Sequence, residues 1–199
     1  MRPFAGFGWQ RALPTLTLLA ALTGCQGGQL RGGVFEPPQP APPVVLSDQR
    51  GQVFDLSAQT GKVVLLYFGY TYCPDVCPTS LADMATARRE LGADAARVQV
   101  AFVTVDPQRD TPQVLTRYLG AFDKTYLGLT GTTVELKRVM DAYQVKAVRQ
   151  GPADSASYTM DHTAFIYVID RAGTLRELMP FGTKADDIAN DVRLLLGEK

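Results

Sequence analysis

The feature that most constrains the fold is the run Val63-Val64-Leu65-Leu66-Tyr67-Phe68, which ends at Gly69 and leads through Tyr70-Thr71-Tyr72 to Cys73. An apolar stretch this continuous has no polar side to give to water. It predicts a strand buried on both faces. Val98–Val105 and Thr163–Ile169 read the same way. Strands of this kind need helices on both faces of their sheet. Pro78 fits a helical first turn, where its missing N–H costs nothing, and Leu81, Met84, Ala85 and Arg88 carry that helix to a stop near Gly92. Thr111-Pro112 caps a second helix through Leu119, and Thr132-Thr133-Val134-Glu135 is a capping box opening a third, to about Tyr143. Asp170–Gly173 turns into a strand over Thr174–Met179, and Thr183 is expected to cap a last helix ending near Gly197. With a short early strand at Val53–Leu56, the order is strand, helix, strand, helix, helix, strand, hairpin strand, helix. This predicts an α/β protein with a central mixed sheet flanked by helices. A βαβ half followed by a ββα half is the thioredoxin-like arrangement. The expected folded unit is residues 44–199, a single domain without internal repeats.

The first residues read differently. Arg2 and Arg11 form a positive leader, and the apolar stretch Ala12–Leu22 is too short to cross a bilayer but has signal-peptide length. Residues 1–24 are therefore expected to be a signal peptide. Leu22-Thr23-Gly24-Cys25 resembles the bacterial lipobox, in which a thiol after a small residue is acylated. The alternative is an ordinary secretory signal with an incidental cysteine. Acylation at Cys25 would hold the chain on the extracytoplasmic face of a bacterial membrane. Residues 25–43, rich in Gly, Pro and Gln, are expected to be a semi-stiff tether that does not pack. Without Arg2 and Arg11 the chain carries 18 basic against 20 acidic side chains, so nothing in it attracts a nucleic acid.

The chain has three cysteines and one histidine. If Cys25 carries lipid, Cys73 and Cys77 remain, a C-x3-C pair in a compartment where disulfides persist. The pair sits between a buried strand and a helix, where open α/β sheets place their sites. Cys77 falls at or just before the helix N-terminus, where unpaired N–H groups and the helix dipole are expected to favour a thiolate. A structural disulfide, or two buried thiols, is the alternative for such a spacing. His162, in Tyr158-Thr159-Met160-Asp161-His162-Thr163, precedes a core strand. In a thioredoxin fold the segment entering this strand faces the cysteine motif and usually holds a cis-proline. No proline lies between Pro152 and Pro180 here, so a ligand takes its place. Taken alone, a lone histidine is more often structural. Two thiolates and one imidazole suit a soft metal. An ordinary iron–sulfur cluster needs four cysteines and structural zinc needs four ligands, whereas copper(I) accepts three. The donor set thus favours one copper ion per chain over zinc, with His162 expected to swing in on a mobile loop.

These motifs together resemble the Sco/SenC family of copper-binding proteins. The matching stretches are Phe68-Gly69-Tyr70-Thr71 with Cys73-Pro74-Asp75-Val76-Cys77-Pro78, Val105-Asp106-Pro107-Gln108-Arg109-Asp110-Thr111-Pro112, and Asp161-His162-Thr163-Ala164. The resemblance runs from about Pro43 to Leu196. It implies a thioredoxin-like fold, Cu(I) or Cu(II) held by Cys73, Cys77 and His162, and a role in building the CuA centre of cytochrome c oxidase. The implied partner is the CuA-bearing subunit, or another envelope copper protein. Asp106 and Asp110 match acidic family positions; with Asp75 and Asp161 they are expected to support the site or dock a partner. Asp110 could instead cap the helix at Pro112, and Asp161 could orient His162 or cap a turn. The stretch Val145–Tyr158 lacks the aromatic-rich insertion of many family members. Two other readings use the same cysteines: a thiol–disulfide oxidoreductase with no obligatory metal, Cys73 and Cys77 being its redox pair, and a peroxidase.

Overall fold

A computed structural model of the chain describes residues 28–152 and 157–198. Residues 1–27, including the expected signal peptide and Cys25, lie outside the described residues. In chain order the elements are β1 (Gly33–Pro40), β2 (Val45–Asp48), β3 (Val53–Asp55), β4 (Val63–Gly69), α1 (Val76–Glu90), β5 (Val98–Thr104), α2 (Pro112–Gly120), β6 (Leu127–Thr130), α3 (Thr133–Ala142), β7 (Ala147–Gln150), β8 (Thr159–His162), β9 (Phe165–Ile169), β10 (Thr174–Pro180) and α4 (Ala185–Gly197). One sheet runs β1-β10-β9-β4-β5-β6-β2-β3, and β7 and β8 form a separate hairpin. β4 pairs parallel with β5 and antiparallel with β9, so the sheet is mixed. Among the described residues no helix is long and apolar enough to cross a membrane.

Every residue of β4 is buried, as its lack of a polar face requires. Alternate side chains point to opposite faces. Phe68 meets Tyr143, just beyond α3, at 5.6 Å and Tyr167 of β9 at 5.5 Å between ring centroids. Tyr67 points the other way and stacks on Phe102 of β5. On that face lie α1 and α4, which pack on each other. α2 joins them through Gly128: a Cβ there would meet Leu119 at 2.8 Å and Leu115 at 3.0 Å. Thr111 caps α2 and Thr132 with Glu135 closes the capping box of α3, as their sequences predict.

Three expectations fail. Thr183 does not cap α4; its hydroxyl donates to the Pro180 carbonyl, and Lys184 is the N-cap. β6, too short and glycine-interrupted to show a period, lies between α2 and α3 and is parallel to β5. The largest correction concerns residues 25–43. The expected tether does pack: residues 33–40 form β1, antiparallel to β10 on the sheet edge. Prolines are tolerated there because an edge strand need donate to only one neighbour, and they also blunt the outer edge.

The chain entering β1 is held by acids that no sequence period revealed. The Arg31 N–H donates to Asp191 at 2.7 Å, the Gly32 N–H donates to Glu177 at 3.1 Å, and the Arg31 side chain pairs with Asp187. Glu177 and Asp191 are both fully buried. Burial first, then the neighbouring Asp191 charge, pushes Glu177 up to about 8. It is therefore neutral in the fold and ionised when unfolded above 4.5. The unfolded chain binds fewer protons between those values, so this group's contribution to stability is complete below the lower one and is lost as pH rises through the upper. Glu177→Gln is expected to remove that slope. Thermal melts across the window should show the unsubstituted protein losing ground to the variant as pH rises. Parallel curves would mean Glu177 is ionised in the fold.

Candidate metal centre

β4 ends at Gly69, and the chain turns sharply toward α1. The Cys73 N–H donates to the Tyr70 carbonyl at 3.2 Å, closing that turn. Asp110 holds the loop from below. Its carboxylate accepts from the Thr71 N–H at 3.2 Å, the Thr71 hydroxyl at 2.6 Å and the Thr104 hydroxyl at 2.6 Å. Burial pushes the Asp110 pKa up, and these donors oppose it.

Cys77 is the second residue of α1 and is fully buried; Cys73 is half-buried at the mouth. The Cys77 N–H points at the Cys73 sulfur, 3.4 Å away. The two sulfurs share one proton unequally. The hydrogen bond from the Cys77 side chain lowers Cys73 to about 3, with the His162 ring and the N–H groups of Cys77 and Asp75 helping against burial. The same bond, then burial, raises Cys77. The thiolate expected at Cys77 therefore sits on Cys73 instead. The helix N-terminus does favour a thiolate, but it acts on the less buried sulfur, because burial of Cys77 outweighs it there. In reduced, metal-free protein at about pH 6, below the ordinary thiol pKa of ~8.5, iodoacetamide is expected to alkylate Cys73 well before Cys77. Peptide mapping by mass spectrometry checks the order, and Cys77-first labelling would contradict it.

His162 closes β8, its Cα opposite Ala147 of β7. It is thus carried by a paired strand and not by a loose loop, and it already faces the cysteines without swinging in. Its Nε2 is 3.4 Å from the Cys77 sulfur, and its Nδ1 is 3.1 Å from the Thr163 carbonyl. A carbonyl only accepts, so Nδ1 carries a hydrogen, and Nε2, the nitrogen that faces the sulfurs, is the one a metal ion would take. The Tyr70 ring stands edge-on to the imidazole at 5.7 Å. The two sulfurs and a ring nitrogen all lie within 4.8 Å of one another. Ligands roughly 2.0–2.3 Å from a common ion have about that spacing. Two sulfurs and one imidazole form a soft set of three, which fits copper(I) and falls short of a closed zinc site.

The four aspartates divide. Asp106 and Asp110 are buried inside the protein, where they accept internal hydrogen bonds and offer no docking surface. Thr111, not Asp110, is the cap of α2. Asp161 accepts from the Gln150 side chain at 2.7 Å and leaves the orientation of His162 to the Thr163 carbonyl. Asp75 is exposed beside the cysteines. Sequence reasoning gave no role to Gly69, Tyr67 or Arg109. A Cβ on Gly69 would lie 2.8 Å from the Cys77 sulfur, so glycine is what lets that sulfur in. Its place in the apolar run just before the cysteines was the available signal. Burial, then the Cys77 sulfur, pushes up the pKa of Tyr67.

Comparisons with known proteins agree with this geometry. A sequence profile of the SCO1/SenC family matches residues 36–197. An SCO2-like protein of Rickettsia felis is 41% identical over 143 residues, 71% of this chain and 65% of the relative. The human mitochondrial SCO2 homologue is 35% identical over 74% of this chain and 56% of its own length. The chain thus spans under two thirds of these relatives. Among solved structures, copper-bound ScoI of Bradyrhizobium japonicum is 39% identical, with TM-score 0.72 over 78% of this chain and 98% of that one. Apo Sco1 of Thermus thermophilus is 36% identical, with TM-score 0.75 over 84% and 97%. A thioredoxin-like fold, a cysteine pair at its strand–helix junction and a histidine facing it across a hairpin are thus found in a chain that belongs to the SCO1/SenC family.

Proposed function

We propose that this protein binds one copper ion through Cys73, Cys77 and His162 and hands it on as cargo in assembly of the CuA centre of cytochrome c oxidase. The observation that carries the reading is the convergence of two sulfurs and a ring nitrogen of His162 within 4.8 Å. Related ScoI of Bradyrhizobium japonicum has been solved with copper bound. Cys73 is poised as a thiolate, so binding need displace only the proton held by Cys77. Cys73 at the mouth gives a partner's thiolate access to the ion, and ligand exchange can then pass it on without hydrolysis. Oxidation of this thiolate–thiol pair to a disulfide gives two electrons to an oxidant, releases the one proton held by Cys77 and removes two of the three ligands. Metal binding and redox state are thereby coupled. The lipobox-like sequence at Cys25 supports attachment to the outer face of a bacterial membrane, within reach of an envelope partner.

Titration of the reduced protein with Cu(I) against a competing chelator is expected to give one tight equivalent. His162→Ala should weaken Cu(II) more than Cu(I) and shift the Cu(II) spectrum, because Cu(II) draws more on nitrogen donors. An unchanged spectrum and affinity would remove His162 from the site. A second reading is favoured by the low pKa of Cys73: a dithiol reductase that keeps a partner's cysteines reduced. Insulin reduction and a measured reduction potential test it.

A further inference from the structure

The turn between β5 and α2 touches both halves of the metal centre. Asp110 fixes the cysteine loop through Thr71. Three residues nearby close a second ring of hydrogen bonds. The Arg109 Nε donates to Asp106 at 2.5 Å, and its Nη1 donates to the Tyr158 carbonyl at 2.9 Å. The Tyr158 hydroxyl returns to the other oxygen of Asp106 at 2.7 Å. Tyr158 immediately precedes β8, the strand that ends in His162. We propose that Arg109 is a positioning residue for His162: it locks the β7–β8 hairpin to the β5–α2 turn and so sets the distance from imidazole to sulfurs.

Stacking strengthens the lock. The guanidinium carbon of Arg109 lies 3.4 Å from the Tyr158 ring centroid, 4.6 Å from that of Tyr72 and 5.7 Å from that of Tyr70. Among the described residues its Nη2 is buried without an oxygen or nitrogen partner, and the aromatic rings are what it faces there. Tyr70 is the same ring that stands against His162. Arg109 therefore bears on the histidine twice, through the strand behind it and through the ring beside it. Its side chain is 14% exposed and that of Asp106 4%, which shields the pair from competing water. A planar, forked cation is needed to donate in two directions while stacking; lysine cannot do both. The hairpin is a two-stranded sheet outside the main one. Two strands alone are marginal, so an external fastening decides where it sits.

The inference rests on the copper reading, and its test separates the two. Arg109→Lys keeps the charge opposite Asp106 but gives up the fork and the stack. Tyr158→Leu removes the ring and the hydroxyl without touching Arg109. In the metal-free variants, hydrogen exchange is expected to quicken at the amides of β7 and β8 while those of β4 keep their protection. With copper, Cu(II) affinity should fall about 10- to 100-fold, and the electron paramagnetic spectrum should lose its histidine nitrogen couplings. Cu(I), gripped by two sulfurs, should stay close to the unsubstituted value. Tyr158→Phe, which keeps the stack, should restore most of the nitrogen coupling. Unaltered nitrogen couplings in folded Arg109→Lys and Tyr158→Leu would overturn the proposal, as would equal quickening in β4 and the hairpin, which would mark a general loss of stability. If the unsubstituted protein shows no histidine coupling, the copper reading fails instead, and the exchange experiment alone decides whether the clasp exists.

Discussion

Serine at position 77 is expected to abolish tight copper binding while leaving the protein folded. The Cys77 sulfur is fully buried, 3.4 Å from His162 Nε2, and belongs to the trio of converging donor atoms. A serine hydroxyl fits the space but is a hard donor that does not ionise near neutral pH, and soft copper(I) has little use for it. Its O–H can still donate toward Cys73, so that thiolate keeps a partner. The cost to stability is set by burying a hydroxyl in place of a thiol, on the order of 1–2 kcal/mol. The cost to copper is far larger. Affinity should fall further than the roughly 10- to 100-fold typical of losing a supporting residue. Chelator competition with Cu(I), on protein whose circular dichroism matches the unsubstituted chain, measures it. Stoichiometric, tight binding by the variant would exclude Cys77 as a ligand.

Gly69→Ala is expected to damage the same site from the strand side. An added Cβ would meet the Cys77 sulfur at 2.8 Å, Phe102 at 2.9 Å and Tyr67 at 3.1 Å. None of these atoms is the free end of a flexible side chain. Cys77 is held in the first turn of α1, and Phe102 and Tyr67 are fully buried in the core. The methyl must therefore push α1 away from β4 or tilt β5. Overpacking of this kind costs about 1–3 kcal/mol. Displacing Cys77 also spoils its convergence with His162, so copper affinity should drop about tenfold or more. Denaturant melts and Cu(I) competition together test this. A variant with lower stability but unchanged copper affinity would mean that the sulfur finds its ligand position without the glycine.

Much of this was legible because burial leaves a local mark. The unbroken apolar run of β4 announced a strand covered on both faces, and the caps at Thr111 and Thr132 announced helix starts through their own side chains. The cysteine pair, between such a strand and such a helix, could be placed at a sheet end before any coordinates. The histidine could be placed opposite it through the order of elements. Two strands carried no local mark. β6 pairs only because β5 lies beside it. The proline-rich β1 looked unable to pack because proline lacks a donor, yet an edge strand needs few donors, and buried acids from β10 and α4 hold the chain just before it.

The protonation of the cysteine pair shows the same divide. Sequence favoured Cys77 as the thiolate, by its nearness to a helix start. Burial, a property of the whole packed molecule, gave the charge to Cys73. The ring of Asp106, Arg109 and Tyr158 joins residues 52 positions apart and has no period to betray it. The sequence by itself determined the kinds of donor atom, the strand–helix junction that presents two of them, and the order of elements that brings the third. Only the tertiary structure decided their distances, their protonation and what holds the histidine in place, because these depend on desolvation and on contacts between distant segments, which exist once the chain has closed on itself.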